Sequence, residues 1–194
     1  MTGYLRGLAV YGALGVVTVA GVYVVRENRA LAEENRLLAR RAVEPRPGLY
    51  VPAVEAATLD GTPVVLGQPG HRQLLFFFNH TCPYCRASLP GWNTIAARVA
   101  HEPAVAVFGV ALDSAHVAAA YRSEHRLVFP VIAKRDPRLV GLYRVSAVPL
   151  VLVLDDGRMA YVRLGVLEAP RAIDSVVAAA QHKDSLGEHG KPRL

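Results

Sequence analysis

The chain has 194 residues, 52% of them hydrophobic, with 22 Lys and Arg against 16 Asp and Glu. That length suits one domain of ordinary size plus an appendage, and the apolar content is high enough to point to a membrane segment added to a normal core. The net charge of +6 is spread out (+3 over residues 1–46, +2 over 47–181, +1 over 182–194), which excludes the basic face of a nucleic-acid binder, and two cysteines exclude a disulfide framework and read as a working pair.

Between Arg6 and Arg26 no residue is charged, and Leu8 to Val25 is apolar apart from Thr18. Such a run is long enough to cross the hydrocarbon core as a helix, so residues 1–25 are expected to be a membrane anchor that meets the lipid bilayer through residues 8–25. A cleaved signal peptide is the rival reading, with Thr18-Val19-Ala20 as its small-residue site; against it, the apolar run continues unbroken to Val25. Arg26, Arg29, Arg36, Arg40 and Arg41 place the large domain in the cytoplasm by the positive-inside count. The redox chemistry below argues for a single-pass protein of the inner membrane with its domain on the periplasmic side, and the two arguments conflict.

Residues 26–43 lack Gly and Pro and are rich in Glu, Arg, Ala and Leu, so the helix should continue outward as a stalk. Val24, Leu31 and Leu38 recur every seven residues, with Asn28, Asn35 and Ala42 at the other seam position. That pattern fits either a short parallel coiled coil, hence a dimer through the stalk, or a solvated single helix. Pro45 and Pro47 stop the helix and make 26–48 a stalk with a stiff linker.

Residues 49–181 carry the pattern of a folded domain. Val54 to Thr58 and Val64 to Leu66 flank an Asp60-Gly61 turn and predict a hairpin. Leu74 to Phe78 is continuously apolar and predicts a central strand covered on both faces. Thr81-Cys82-Pro83-Tyr84-Cys85-Arg86 follows, and then Cys85, Leu89, Trp92, Ile95 and Val99 fall on one helical face, with Pro90 inside. Val105 to Ala111 predicts a second central strand. Asp113 or Ser114 caps a helix to about His125, and Val128 to Ile132 reads as a short extended piece. Asp136-Pro137 opens a small helix to about Tyr143. Leu150 to Leu154 and Met159 to Leu164 flank Asp155-Asp156-Gly157-Arg158, whose acids read as hairpin chemistry rather than a catalytic or metal pair. Ala169 to Ala180 closes with a helix, and residues 182–194 read as a disordered tail. The expected class is α/β, with helices around a mixed central sheet.

The cysteine turn is where chemistry is expected. Cys82 sits at the first turn of a helix, where unpaired N–H groups and the helix dipole favour a thiolate, and Cys85 follows one turn on, close enough to form a disulfide. Cys82 is then the attacking sulfur and Cys85 the resolving one. His80, when protonated, adds positive charge near Cys82; the plainer reading is a solvated loop residue.

This order of elements resembles the thioredoxin superfamily, and more narrowly the membrane-anchored TlpA/ResA-like thiol-disulfide oxidoreductases, over about Ala53 to Ala180. The resemblance rests on the apolar strand running into Cys82-Pro83-Tyr84-Cys85, Pro90 five residues beyond, Val148-Pro149 before a strand, and the Asp-Gly hairpins. It implies a thioredoxin-like fold, a cis Pro149 beside the cysteine pair, no cofactor and no metal. The partners it implies are a client protein dithiol or disulfide and a membrane redox partner. Thr81-Cys82-Pro83 with Leu89-Pro90 is also similar to the thioredoxin-like factors that mature methylamine dehydrogenase. Two positions depart from the TlpA-like pattern: Thr81 stands where many relatives have Trp, and Ser88 where many reductases have an acid.

Three rival functions use the same residues. Cys82, Cys85 and His80 offer soft donors to copper(I), with a fourth ligand lacking. A peroxiredoxin-type peroxidase shares the scaffold but needs Thr or Ser three residues before its cysteine, where Cys82 has Asn79. The third is an interaction module without turnover. Haem attachment is excluded because Arg86, not His, follows Cys85. The direction of electron transfer is not encoded in Pro83-Tyr84.

Overall fold

The computed structural model describes residues 15, 18, 20–36, 44–134 and 136–181. They belong to two compact units that divide after Val43. In the first, helix α1 runs over 20–36, exposed throughout. Val24, Asn28, Leu31 and Asn35 of the expected seam lie on it, whereas Leu38 and Ala42 fall outside the described residues. Most of the expected span Leu8–Val25 and the tail 182–194 also fall outside them. Among the described residues no helix is long and apolar enough to cross a membrane.

The second unit is built on β3 (Arg72–Phe78), every residue of which is buried. A strand this apolar is stable only when covered on both faces, and it takes the centre of a five-stranded sheet. On one side it pairs in parallel with β4 (Val105–Ala111), which pairs in parallel with β5 (Val131–Ala133). On the other it pairs antiparallel with β6 (Leu150–Asp155), which turns through Asp156 and Gly157, both at positive φ, into β7 (Arg158–Leu164). The order β5-β4-β3-β6-β7 is the mixed central sheet expected from the sequence, in a thioredoxin-like arrangement.

Period-two alternation along β3 divides the core. Leu74, Phe76 and Phe78 face α2 (Pro83–Val99), α3 (Ala115–Glu124) and α5 (Pro170–Gln181), with the Phe76 ring stacked 5.2 Å from that of Trp92. Leu75 and Phe77 face the opposite layer, which holds Val51, Leu66, and Leu139 of α4 (Pro137–Leu142). The antiparallel hairpin β1 (Val54–Ala57) and β2 (Pro63–Leu66) adds to that second layer, and Thr58 beyond it bridges to Ile132 at the β5 edge.

Two local expectations are corrected. The extended piece placed at Val128 to Ile132 begins as a strand only at Val131, because Pro130 has no N–H to give a ladder; its carbonyl instead accepts from Gly109 at 2.9 Å. Ser114 occupies the N-cap of α3 but its side chain makes no capping bond, and Asp113 is drawn elsewhere.

Candidate redox site

β3 and β4 are parallel and in register, Phe78 beside Ala111, so the loops that follow them emerge together. The first of these loops delivers the cysteine pair. Cys82 is the N-cap of α2, with extended backbone, and Pro83 takes the first helical position, where a missing N–H leaves no gap in the hydrogen bonding. The Cys82 sulfur accepts the Cys85 N–H at 3.1 Å, one of the orphan donors of the helix start. Cys82 is half-buried; Cys85, on the inner face of the helix, is fully buried. Burial first, and then its hydrogen bond to the Cys82 sulfur, push the Cys85 thiol well above its ordinary range.

Val148-Pro149 is a cis peptide, as the resemblance implied. The loop before β6 brings the Val148 carbonyl to 3.6 Å from the Cys82 sulfur, within reach of the thiol as a donor. Tyr84 points outward and is exposed. Cys82, Cys85 and the Val148-Pro149 backbone therefore come together at one end of the sheet.

His80 lies two residues before Cys82, but its recorded contacts are with the loop after β4. Its backbone N–H donates to Asp113 Oδ2 and its Nδ1 lies against Asp113 Oδ1, both at 2.8 Å. The imidazole borders a cleft of about 280 Å3 shared with Arg86, His116, Tyr121, Glu124 and His125. The Tyr121 hydroxyl is buried without a hydrogen-bond partner, and burial, then Cys85 nearby, push it up to about 12. Among the described residues no three His, Cys, Asp or Glu side chains gather as metal ligands.

Ser88 and Asp113 are site residues whose contacts sequence reasoning did not foresee. Ser88 is fully buried; its hydroxyl donates to the Tyr84 carbonyl at 2.9 Å and accepts the Leu167 N–H at 3.0 Å. One turn on, a side chain at Gly91 would meet the Leu167 carbonyl at 2.3 Å, so α2 is seated directly on that loop. For Asp113 the signal was available: it lies two residues beyond β4 as His80 lies two beyond β3, and an in-register parallel pair sets such positions side by side.

Residues 47–162 match a protein family described as the AhpC/TSA family. The methylamine utilization protein MauD of Methylobacillus flagellatus is 27% identical over 152 residues, covering 75% of this chain and 71% of its own. A thiol:disulfide interchange protein of the thioredoxin family from Chlorobium tepidum superposes with a TM-score of 0.57 at 22% identity, over 71% of this chain and 98% of that one. Peroxidoxin BcpB from Mycobacterium tuberculosis does so with a TM-score of 0.58 at 18% identity, over 71% and 97%. At such identities the two structures speak for the fold.

Proposed function

The chain belongs to the AhpC/TSA family, and from that membership and the cysteine geometry we propose that it is a protein thiol-disulfide oxidoreductase that works from a membrane tether. The observation that carries this reading is the asymmetry of the pair. Cys82 is part-exposed at a helix start and accepts a backbone N–H, while Cys85 is sealed one turn deeper with its proton held. A nucleophile needs access and a stabilised anion; a resolving group needs proximity and protection from stray oxidants.

In the reducing direction, the Cys82 thiolate attacks one sulfur of a client disulfide. A Cys82–client bond forms, the client S–S bond breaks, and the second client sulfur leaves with the electron pair and takes a proton. Cys85 then loses its proton and attacks the Cys82 sulfur, the client's first sulfur leaves and is protonated, and a Cys82–Cys85 disulfide remains. Two electrons have passed to the client. The opposite direction runs the same bonds in reverse. The Val148-Pro149 backbone beside Cys82 aligns the client strand, and His80, two residues before Cys82, borders the cleft it shares with Arg86 and Tyr121.

A peroxidase is the alternative, since one structural relative is a peroxidoxin. It is disfavoured because Asn79 stands three residues before Cys82, where the peroxidatic thiolate needs a hydroxyl donor. The tether is the span 8–25, the domain lies on the periplasmic side, and the electron partner is a membrane protein. Cys82→Ser abolishes exchange with a protein disulfide, and Cys85→Ser accumulates a covalent client adduct visible on a non-reducing gel; full activity in Cys82→Ser would overturn the roles. A topology reporter fused after Leu194 should read extracytoplasmic, and a cytoplasmic reading would contradict the placement.

A further inference from the structure

Ser88 takes no part in the bond-making above, yet hydrogen bonds join it to the sulfur that does. We propose that Ser88 is a positioning residue of the redox site: its hydroxyl polarises the Tyr84–Cys85 peptide group, whose N–H steadies the Cys82 thiolate. The proposal rests on the exchange reading and names one more residue that serves its nucleophile.

A chain of three hydrogen bonds carries the argument. The Leu167 N–H donates to Ser88 Oγ at 3.0 Å, and the Ser88 hydroxyl donates to the Tyr84 carbonyl at 2.9 Å. That carbonyl belongs to the same peptide group as the Cys85 N–H, which donates to Cys82 Sγ at 3.1 Å. All three donors thus point toward the sulfur. Ser88 and Leu167 are both fully buried, so water does not compete for the first two bonds. The loop that supplies the outer donor is itself held. The Gly165 N–H donates to the Pro149 carbonyl at 2.9 Å, and the Leu167 carbonyl would lie 2.3 Å from a side chain at Gly91.

A serine bonded to the carbonyl four residues back is ordinary in helices. Two features set Ser88 apart. Its oxygen receives a backbone donor from outside the helix, and the amide it grips ends on the reactive sulfur. Among the described residues the Cys85 N–H is the one hydrogen-bond donor at Cys82 Sγ; the Val148 carbonyl, 3.6 Å away, only accepts from its thiol. A hydrogen bond received by a carbonyl makes the N–H of the same amide a stronger donor, and an anion draws on that donor more than a neutral thiol does. The relay therefore favours the thiolate with which Cys82 attacks.

The experiment uses the full chain carrying Cys85→Ser as the parent, so that Cys82 is its one thiol. Its alkylation by iodoacetamide is followed between pH 5 and 9. Adding Ser88→Ala should slow alkylation about threefold on the acid side and move the whole profile to higher pH. Ser88→Thr keeps a hydroxyl that reaches the same carbonyl and should restore the parent profile, although its extra methyl in a fully buried place costs stability. His80, Arg86, Asp113, Tyr121 and Glu124 are common to every variant and cancel from the comparison. Lost fastening alone lowers stability and leaves the profile in place. A Ser88→Ala profile superposed on the parent's, or equal displacement by Ser88→Ala and Ser88→Thr, overturns the proposal. If Ser88→Ala does not fold, nuclear magnetic resonance of the parent decides. Ionising Cys82 should move the Leu167 amide proton downfield with the same midpoint as the amide at position 85, and a Leu167 amide that ignores the titration overturns the relay. A Cys82 that resists alkylation in the folded parent overturns the exchange reading, and the proposal with it.

Discussion

Arg72 and Asp155 close one end of the central strand; His80 and Asp113 close the other. At the first end Arg72, 8% exposed, pairs with Asp155 across the β3–β6 ladder and donates from Nη1 to the Ala180 carbonyl at 3.2 Å, tying down the last turn of α5. At the second, the more deeply buried carboxylate of Asp113 holds the imidazole of His80, two residues before Cys82. Both join a strand end to a neighbouring loop or strand. A guanidinium keeps its charge at any working pH and an imidazole does not. The end remote from the cysteines is thus fastened by a buried guanidinium, and the end that leads into the cysteine turn by a half-exposed imidazole on a buried carboxylate.

The largest expected effect separates the two ends by stability. Arg72→Met leaves Asp155 and the Ala180 carbonyl without their partner and should cost about 3 kcal/mol in urea unfolding, the usual scale for breaking a buried pair. The exchange rate per folded molecule should not change, and a comparable loss of rate would erase the division drawn here.

A smaller effect comes from alkaline pH. Burial raises both Cys85 and Tyr121 at the redox end. The folded chain then keeps these protons to higher pH than the unfolded chain does. The associated stability is fully present below the unfolded thiol value of 9.0 and is lost as pH rises toward the folded values. Stability should therefore fall with pH from about 9 upward. Cys85→Ala should flatten the slope first, Tyr121→Phe should flatten it between about 10 and 12, and Arg72→Met should leave it unaltered. An alkaline slope unchanged in both redox-end variants would place its origin elsewhere.

What the sequence made legible follows the range of the forces involved. The Asp60-Gly61 and Asp156-Gly157 turns were readable because turn chemistry is local, and both glycines do take positive φ. β3 was readable because a continuous apolar run permits few fates. A helix start at Cys82 followed from a strand ending at a proline-containing turn, and the structure sets Cys82 one residue outside it, at the N-cap. The misread parts are those in which a distant partner outbids a neighbour. Asp113 looked like a helix cap, yet it binds a residue 33 positions away because two strands run parallel. Ser88 read as the absence of an acid, whereas its hydroxyl fastens α2 to the loop at Leu167. Arg72 carried no sequence signal as a buried charge, since its partners lie 83 and 108 residues on.

Differential alkylation of the reduced protein tests the central asymmetry most directly. Limiting iodoacetamide at neutral pH, followed by peptide mass mapping, should modify Cys82 while Cys85 stays unlabelled until the chain is unfolded. Equal labelling of the two sulfurs, or earlier labelling of Cys85, would contradict a part-exposed nucleophile backed by a sealed partner.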